Sequence, residues 1–261
     1  MKTDIQALLH SLSQCSYQLD GAHVIDQNLM LAIRNWAPYV GDPAEFVDRI
    51  AALIKQSNYQ QLKKYGVLDA FSQGQLSSKT WLIATVESLG LEIKNTWTLC
   101  GWIGTLGYLM LLKKAELGLT SVRSFDIDQY CAPMADTINR LSVKDGWQFK
   151  ASTLDVNSIS YDNFAYDTIK YDGTAQRVTD TADTIINTSC DHMGGNNSWW
   201  DRIPSDKLII LQNNNWHEND QHNNSAADLN EFTRMYPMSE LLFAGELDCT
   251  LYTRFMLIGR K

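Results

Sequence analysis

Residues 96–112 are TWTLCGWIGTLGYLMLL: a short apolar strand runs into glycines spaced by three, and these run into an apolar helix. The next apolar segment, VRSFDID at residues 122–128, places Asp126 at its end, 19 positions after Gly107. Glycines at such a turn let the backbone approach a ligand closely, and the helix points its free amides at that ligand. A carboxylate ending the next strand accepts ribose hydroxyls. The pattern therefore predicts a nucleotide-type cofactor site, with Asp126 on the ribose.

Strands and helices alternate after this turn. Apolar runs predict strands at residues 97–100, 122–127, 147–151, 183–187, 207–212, 240–246 and 251–258. Such alternation indicates a parallel sheet covered by helices, and the last two runs, which are separated by only a few residues, predict an antiparallel hairpin. We also expect Asp128 to be the N-cap of a helix beginning near Gln129, and Arg254 to pair with Glu246 across the hairpin.

The N-terminal region has helical periodicity and no strand pattern. Asp26 and Asp42 precede two helical segments, and Ser77 or Ser78 precedes another that ends at Gly90. An earlier helix is predicted from the spacing of Leu8, Leu9 and Leu12. The predicted organisation is a helical N-terminal cap over residues 1–90, followed by a Rossmann-like domain over residues 91–261. The fold class is α/β, with a mostly parallel sheet and a C-terminal antiparallel hairpin.

The composition favours a small-molecule substrate. Of 261 residues, 44% are hydrophobic and 20% are charged, and the formal net charge is −8. This charge argues against a broad nucleic-acid surface, whose affinity comes mostly from Lys and Arg. The five cysteines are scattered without CxxC spacing, so neither a disulfide framework nor a zinc knuckle is predicted. No apolar run is long enough for a membrane span. We therefore expect a cytoplasmic protein that has no membrane contact.

With these features in place, residues 96–261 resemble the class I S-adenosylmethionine-dependent methyltransferase fold. The resemblance implies S-adenosyl-L-methionine as cofactor, with its methionine portion at the glycine turn, its ribose on Asp126 and its adenine amino group on Asp155. The family usually has an acidic residue before a tight GxG turn, whereas this chain has Thr98-Leu99-Cys100 before GWIG. The cofactor-binding residues that the resemblance implies are Cys100, Gly101, Trp102, Gly104, Asp126, Ile127, Leu154, Asp155, Val156 and Asn187.

The segment DTIINTSCDHM at residues 183–193 corresponds to the family's fourth motif, where substrate chemistry usually lies. Asp191 and His192 are candidate bases, and Asn187 is a candidate for orienting the substrate. A structural role stays open for each of them: His192 as a buried, hydrogen-bonded histidine, Asp191 as a solvated acid, and Asn187 as a cap of the strand end. Cys190 is interpreted as a small buried residue rather than as a nucleophile, because nothing in the sequence indicates an activated thiolate.

Two further segments are candidates for substrate contact. Trp199 and Trp200 are predicted to form a pocket wall or to cover a cationic group, with ordinary packing as the alternative for at least one of them. The Asn-rich segment 213–224 follows the fifth strand and is predicted either to line a polar pocket or to form a solvated loop. Its candidate residues are Asn213, Asn215, His217 and His222. These two histidines depart from HExxH spacing, so no metal site is predicted.

The leading functional hypothesis is methyl transfer from S-adenosylmethionine to a small polar acceptor. A second hypothesis is transfer of the cofactor's aminobutyrate arm, since the helical N-terminal part, the glycine turn and the FDID strand end are also similar to nicotianamine synthases. A third hypothesis, of a different class, is a non-catalytic partner protein that binds the cofactor. An NAD enzyme ranks fourth, because its pyrophosphate requires a tighter turn than GWIGTLG.

Overall fold

A seven-stranded sheet organises the protein. The computed structural model describes residues 18–19, 22–23, 27–56, 67, 69–170, 172–194, 198–218, 220 and 222–261. The strands are β1 (Gln18–Leu19), β2 (Ala22–His23), β3 (Lys94–Leu99), β4 (Leu119–Asp126), β5 (Phe149–Thr153), β6 (Phe164–Ile169), β7 (Ala175–Asp180), β8 (Thr184–Asn187), β9 (Leu208–Asn214), β10 (Glu240–Asp248) and β11 (Thr253–Arg260). The helices are α1 (Gln27–Trp36), α2 (Pro43–Gln56), α3 (Gln73–Ser88), α4 (Thr105–Leu112), α5 (Cys131–Ile138), α6 (Arg140–Lys144), α7 (Ser198–Asp201) and α8 (Leu229–Met235).

The strand order of the large sheet is β10-β11-β9-β8-β3-β4-β5. The five strands from β9 to β5 are parallel, whereas β11 is antiparallel to β9 and to β10. All seven predicted strands are present, and the last two form the predicted hairpin. The predicted fold class, a Rossmann-like and mostly parallel sheet with an antiparallel C-terminal hairpin, is therefore confirmed.

The direction of the strand order reverses at β3. The chain first moves outward through β4 and β5, and it then returns past β3 to form β8 and β9 on the other side. In open α/β sheets, the strands beside such a reversal leave a crevice at their carboxyl ends, and ligands bind there. This topology selects the carboxyl ends of β3 and β8 as the place to look for a site.

Alternate residues of the strands face two separate hydrophobic clusters. Ile186 and Ile210 belong to one cluster, and Ile185 and Ile209 belong to the other. The first cluster also contains buried residues of α1, α2 and α3, including Trp36, which donates its indole N–H to the Phe71 carbonyl at 2.9 Å. The N-terminal helices therefore share a hydrophobic core with the sheet, and the division at residue 90 stays a prediction.

The N-terminal helices agree in part with the sequence. Helix α2 begins at Pro43 as predicted, and Asp42 Oδ1 accepts the Ala44 amide at 2.9 Å. The predicted start of α3 at Ser77 or Ser78 is wrong: Ser72 is its N-cap, and Ser78 lies inside the helix, bonded to Gln212. The predicted absence of strands is also corrected by β1 and β2. Leu8, Leu9, Leu12 and Asp26 lie outside the described residues.

Two other local predictions are corrected. Helix α5 begins at Cys131 rather than near Gln129, and Asp128 Oδ1 accepts the Tyr130 amide of the preceding turn at 2.9 Å. The β6–β7 hairpin is an antiparallel pair that the sequence analysis missed, because its exposed strand β7 lacks an apolar run. None of the described helices combines the length and the apolar character that crossing a bilayer requires.

Candidate functional site

The turn after β3 has an unusual backbone. Cys100, Trp102 and Gly104, every second residue of the turn, have positive φ values of 50°, 50° and 73°. Non-glycine residues in the left-handed region cost of order 1–3 kcal/mol each, and they concentrate at functional sites. Such turns direct backbone amides into a shared concavity, and α4 begins directly after Gly104, which has no side chain to cap it. The amides of Gly101, Trp102 and Gly104 are bonded within the protein, so the free amides at this turn are those of the first turn of α4.

Gly101 is required by close packing within this turn. A Cβ at this position would lie 2.0 Å from Ser124 Oγ and 3.1 Å from Thr98 Oγ1. The glycine therefore lets the chain cross directly over β4, and the Gly101 amide donates to the Phe125 carbonyl at 3.0 Å. Here the absence of a side chain serves contact between strand ends rather than contact with a ligand.

Asp126 joins the ends of three neighbouring strands. Its Oδ2 accepts the Trp102 amide of the glycine turn at 3.0 Å, and its Oδ1 accepts the Asp128 amide at 3.0 Å. The Asp126 carbonyl accepts the Leu154 amide at 2.9 Å, which ties in the end of β5. Burial raises the pKa of Asp126, while these two amide bonds oppose the rise. The Cys131 side chain also hydrogen-bonds this carboxylate, which therefore has three bonding partners within the protein.

The residues around Asp155 form the second half of this edge. Asp155 Oδ1 accepts both the Asn157 amide at 2.9 Å and the Asn157 side-chain N–H at 3.1 Å. Ile127 is 73% exposed, which is unusual for a large apolar side chain beside a polar edge. Ile127 is exposed and Leu154 is half-buried at this edge, whereas Val156 is buried in the core and contributes packing.

Cys100 lies between these carboxylates and β8. Its Sγ is 3.3 Å from Met193 Sδ. Burial raises the pKa of Cys100 to about 12, and the negative charges of Asp126, Asp191 and Asp155 add to the rise. Burial disfavours a charge of either sign, whereas the three negative charges disfavour an anion and attract a cation. Three carboxylates therefore act on the space around Cys100.

The end of β8 carries polar atoms that are buried and unsatisfied. Asn187 is fully buried, and its Oδ1 accepts the Ser189 amide at 2.9 Å. Its Nδ2 is one such atom, and Oδ1 of Asp191 is another; neither has a hydrogen-bond partner among the described residues. Because buried polar groups are nearly always paired, these two atoms leave hydrogen-bonding capacity at the end of β8 for water, an ion or a ligand.

Asp191, His192 and His222 form a cluster beside Asn187. Asp191 Oδ2 lies 3.3 Å from His192 Nε2 and 3.1 Å from His222 Nε2. Asn214, a residue that the sequence analysis missed, donates its Nδ2 to the same carboxylate oxygen at 2.9 Å. The structure thus brings together two predicted catalytic residues and one predicted substrate-binding residue from segments about thirty positions apart in the sequence.

The remaining predicted substrate-binding residues lie elsewhere. The rings of Trp199 and Trp200 are buried in the core cluster that contains Tyr236, so the packing alternative describes both. Asn213 donates to the Asn224 carbonyl at 2.9 Å, and Asn215 Oδ1 accepts the Thr253 amide at 2.8 Å. The side chains of Asn213 and Asn215 therefore fix the loop and the start of β11 in place. His217 is exposed outside the cluster.

Two basic side chains, Arg254 on β11 and Lys79 on α3, are buried and lie close enough to interact electrostatically. Arg254 donates to the Thr188 carbonyl at 3.3 Å, and its buried Nε has no partner among the described residues. The predicted pair with Glu246 is wrong, because Arg254 lies opposite Leu247 in the hairpin. Burial and, to a smaller extent, the charge of Arg254 lower the pKa of Lys79 to about 7, and the charge of Asp69 opposes this shift. The rings of Trp216 and Tyr252 stack with their centroids 5.4 Å apart, and the Arg254 guanidinium lies over the Tyr252 ring.

No signal in the sequence pointed to Lys79, because a lysine on a helix is normally solvated. The signal for Asn214 was available: alternate residues of β9 share a face, so Gln212 and Asn214 belong together and Asn213 does not.

Comparisons with known proteins find similar folds at low identity. No protein-family model matches the chain, and no curated protein matches it. The N-methyltransferase NodS from Bradyrhizobium japonicum WM9 is 10% identical over 74% of this chain and 98% of its own, with a TM-score of 0.49. Magnesium protoporphyrin IX methyltransferase (ChlM) from Synechocystis PCC 6803, solved with bound SAM, is 14% identical over 92% and 100% of the two chains, with a TM-score of 0.47. An S-adenosylmethionine-dependent methyltransferase from Clostridium acetobutylicum ATCC 824 is 9% identical over 69% and 89%, with a TM-score of 0.46. The strand order of the sheet, rather than these scores, defines the fold of this chain.

Proposed function

We propose that the protein binds S-adenosylmethionine at the carboxyl ends of β3, β4 and β5 and transfers its methyl group to a small polar acceptor. The observation that carries this proposal is the junction at Asp126, where hydrogen bonds of 3.0 Å and 2.9 Å join the glycine turn to the ends of β4 and β5. This junction lies beside the reversal of the strand order, where ligands of such sheets bind.

The residues at this edge match the three parts of the cofactor. Asp126 has lone pairs for the ribose hydroxyls, and Ile127 and Leu154 offer apolar surface to the adenine. Asp155 has its Oδ2 left for the adenine amino group, since its bonds to Asn157 both go to Oδ1. S-adenosylmethionine, when bound, supplies a methyl group on a positively charged sulfur. The carboxylates around Cys100 favour that positive charge for the reason given above.

Cys100 does not compete for the methyl group. Because its pKa is about 12, the thiol stays protonated at neutral pH, and the thiolate is the nucleophilic form. Methyl transfer is an in-line displacement that depends mainly on alignment of the two reactants. Because the Cys100 thiol is neutral and the turn holds it in place, the nucleophile in this proposal is the bound acceptor.

The acceptor is expected on the β8 and β9 side of the crevice. His192 lies there, with 41% of its side chain exposed and Asp191 Oδ2 at 3.3 Å, so it is placed to take a proton from an acceptor. The stacked rings of Trp216 and Tyr252, together with Arg254, give this side apolar and polar surfaces that suit a small polar molecule.

The test is a calorimetric titration with S-adenosylmethionine, S-adenosylhomocysteine, methylthioadenosine and NAD, followed by mass spectrometry of turnover products. We expect the first two to bind, and S-adenosylhomocysteine to accumulate with an acceptor. Accumulation of methylthioadenosine would replace methyl transfer by aminobutyrate transfer. Binding of NAD alone would contradict the proposal.

Asp126→Asn should weaken S-adenosylmethionine binding about tenfold or more, since a charge-assisted hydrogen bond contributes roughly 1.5–3 kcal/mol. Asp128→Asn is the matched control, because Asp128 lies two residues along and its carboxylate accepts the Tyr130 amide. Calorimetry measures both. Equal affinities of Asp126→Asn and the unmodified protein would remove Asp126 from the site.

A further inference from the structure

The cluster of Asp191, His192 and His222 has the composition and spacing of a metal centre. The three candidate ligand atoms, a carboxylate oxygen and two imidazole nitrogens, lie within 4.8 Å of one another. The two rings are nearly perpendicular, at 85°, with centroids 4.7 Å apart. They therefore approach the same carboxylate oxygen from different directions instead of stacking on each other.

The hydrogen bond of His222 fixes which of its nitrogens carries the proton. Its Nδ1 lies 3.0 Å from the Trp216 carbonyl oxygen, and a carbonyl only accepts, so Nδ1 carries the hydrogen. In the neutral ring, Nε2 then has a lone pair, which points at Asp191 Oδ2, 3.1 Å away. Two lone pairs at this distance repel each other unless a cation lies between them, either a proton or a metal ion.

The distances suit a metal ion. Zinc binds nitrogen and carboxylate oxygen at about 2.0–2.2 Å in tetrahedral geometry, which places neighbouring ligand atoms roughly 3.3–3.5 Å apart. The two distances from Asp191 Oδ2, 3.1 Å and 3.3 Å, are close to this spacing, and the third pair, the two imidazole nitrogens, lies within 4.8 Å. One ion between the three atoms satisfies both contacts at once, whereas hydrogen bonds satisfy them only if His192 carries its proton on Nε2 and His222 is doubly protonated.

The surroundings of the cluster supply the expected supporting contacts. Histidine ligands usually donate their other N–H to a carbonyl or carboxylate, as His222 does to Trp216, and carboxylate ligands are themselves hydrogen-bonded, as Asp191 is by Asn214. The Asp191 side chain is only 3% exposed, so its charge requires a counter-charge. His192 is 41% exposed, which leaves one side of the cluster open to solvent.

We infer that Asp191, His192 and His222 bind one divalent transition-metal ion, such as Zn²⁺, with an open coordination position toward the crevice. The inference deepens the proposed function and rests on it for its catalytic meaning. At an open position, an ion binds an acceptor hydroxyl and lowers its pKa. The acceptor's proton then leaves to solvent, the acceptor oxygen forms a bond to the methyl carbon, and the carbon–sulfur bond breaks to leave a neutral thioether. In this form His192 is a ligand rather than the base.

The experiment measures Zn²⁺ binding by the whole 261-residue chain after removal of metals, in competition with a chromogenic chelator. We expect one equivalent to bind, and His222→Ala to weaken binding on the order of 100-fold. His217→Ala is the matched control, because His217 belongs to the same loop, is exposed and lies outside the cluster. We expect it to bind Zn²⁺ like the unmodified protein.

A variant at the exposed ligand guards against misfolding. His192→Ala changes a partly exposed ring, and we expect it to weaken Zn²⁺ binding at least tenfold, with an unchanged thermal transition of the metal-free protein. Co²⁺ in place of Zn²⁺ should give visible absorption bands of a four-coordinate site, which His192→Ala should alter. Less than a tenth of an equivalent of Zn²⁺ bound, or equal binding by His192→Ala and His217→Ala, would overturn the inference.

The metal inference and the proposed function fail separately. Binding of S-adenosylmethionine is measured by calorimetry on the same metal-free protein. Cofactor binding without Zn²⁺ binding would overturn the metal inference and leave the proposed function standing. Zn²⁺ binding without cofactor binding would confirm the metal centre and overturn methyl transfer.

Discussion

Gly101 sets the distance between the glycine turn and β4. Gly101→Ala should destabilise the protein by about 1–3 kcal/mol, the usual cost of overpacking, because the new Cβ would lie 2.0 Å from Ser124 Oγ. Cofactor affinity should fall as well, since the Gly101 amide joins the turn to Phe125. Urea unfolding measures the first effect and calorimetry the second.

Gly194→Ala is the control for this change, since a Cβ at Gly194 meets nothing within 4 Å. It lies near the same crevice, two residues beyond His192. Equal losses of stability in the two variants would show that Gly101 is not held by close packing.

At the residue scale, the sequence predicted the positions of the site better than its contacts. Asp126 lies where the spacing from the glycines placed it, because a strand end is determined by the chain itself. The cluster around Asp191 was predicted only in pieces, since His222 joins it through the fold of a loop. The sequence analysis chose Asn213 and Asn215 instead of Asn214, although neighbouring residues of a strand face opposite sides of the sheet.

Lys79 makes the stability of α3 depend on pH. Its pKa is about 7 in the folded protein, against 10.5 for an ordinary exposed lysine. Between pH 7 and pH 10.5 the unfolded chain binds more protons at Lys79 than the folded protein does, so the free energy of unfolding rises with pH. Below pH 7 Lys79 is charged in both states, and the folded protein bears the full free-energy cost of burying that charge. Lys79→Met should therefore be more stable than the unmodified protein at pH 6, by at least ~1 kcal/mol, given ~1.4 kcal/mol for each pKa unit.

The measurement is urea unfolding at pH 6 and pH 9, and the expected result is a smaller rise with pH in Lys79→Met. Lys113→Met is the control, because the Lys113 side chain is 48% exposed and makes only surface ion pairs. The same pH dependence in Lys79→Met as in the unmodified protein would contradict a buried, readily deprotonated lysine.

At the element scale, apolar runs predicted all seven strands of the large sheet. The interior strands such as β8 and β9 are buried on both faces and read as continuous hydrophobic segments, and the outermost strand β10 was found from its apolar run LLFAGEL although it is half-exposed. The β6–β7 hairpin lacks this signal because much of it is exposed. The start of α3 was misplaced by several residues because Ser72, Ser77 and Ser78 are equally good caps in the sequence, and only tertiary contacts buried Ser78 against Gln212.

At the scale of the molecule, the helices before residue 90 cover one face of the sheet. A chain of residues 91–261 would expose core residues that include Ile210, Met256 and Ile258, which pack in one cluster with Trp36 and Phe46. We expect this fragment to bind a hydrophobic dye and to lose a cooperative thermal transition, whereas residues 27–261 should keep it. Cooperative unfolding of the 91–261 fragment would show that the sheet forms a stable domain alone.

The fold class was predictable because the alternation of strands and helices restricts the topology to few arrangements. The shared core was less predictable, since the amphipathic N-terminal helices show that they bury one face without showing which surface they bury it against.

Strand β10 is the outermost strand of the large sheet, and within the described residues no further strand pairs with it. Such a border offers backbone groups that can recruit a second copy and start aggregation. Exposed carboxylates at Glu240, Glu246 and Asp248 lie along it. Glu240 Oε2 lies 3.7 Å from Arg260 Nε, but two copies meeting there would still bring Glu246 and Asp248 of each copy together, and this repulsion opposes edge-to-edge pairing at neutral pH and low salt.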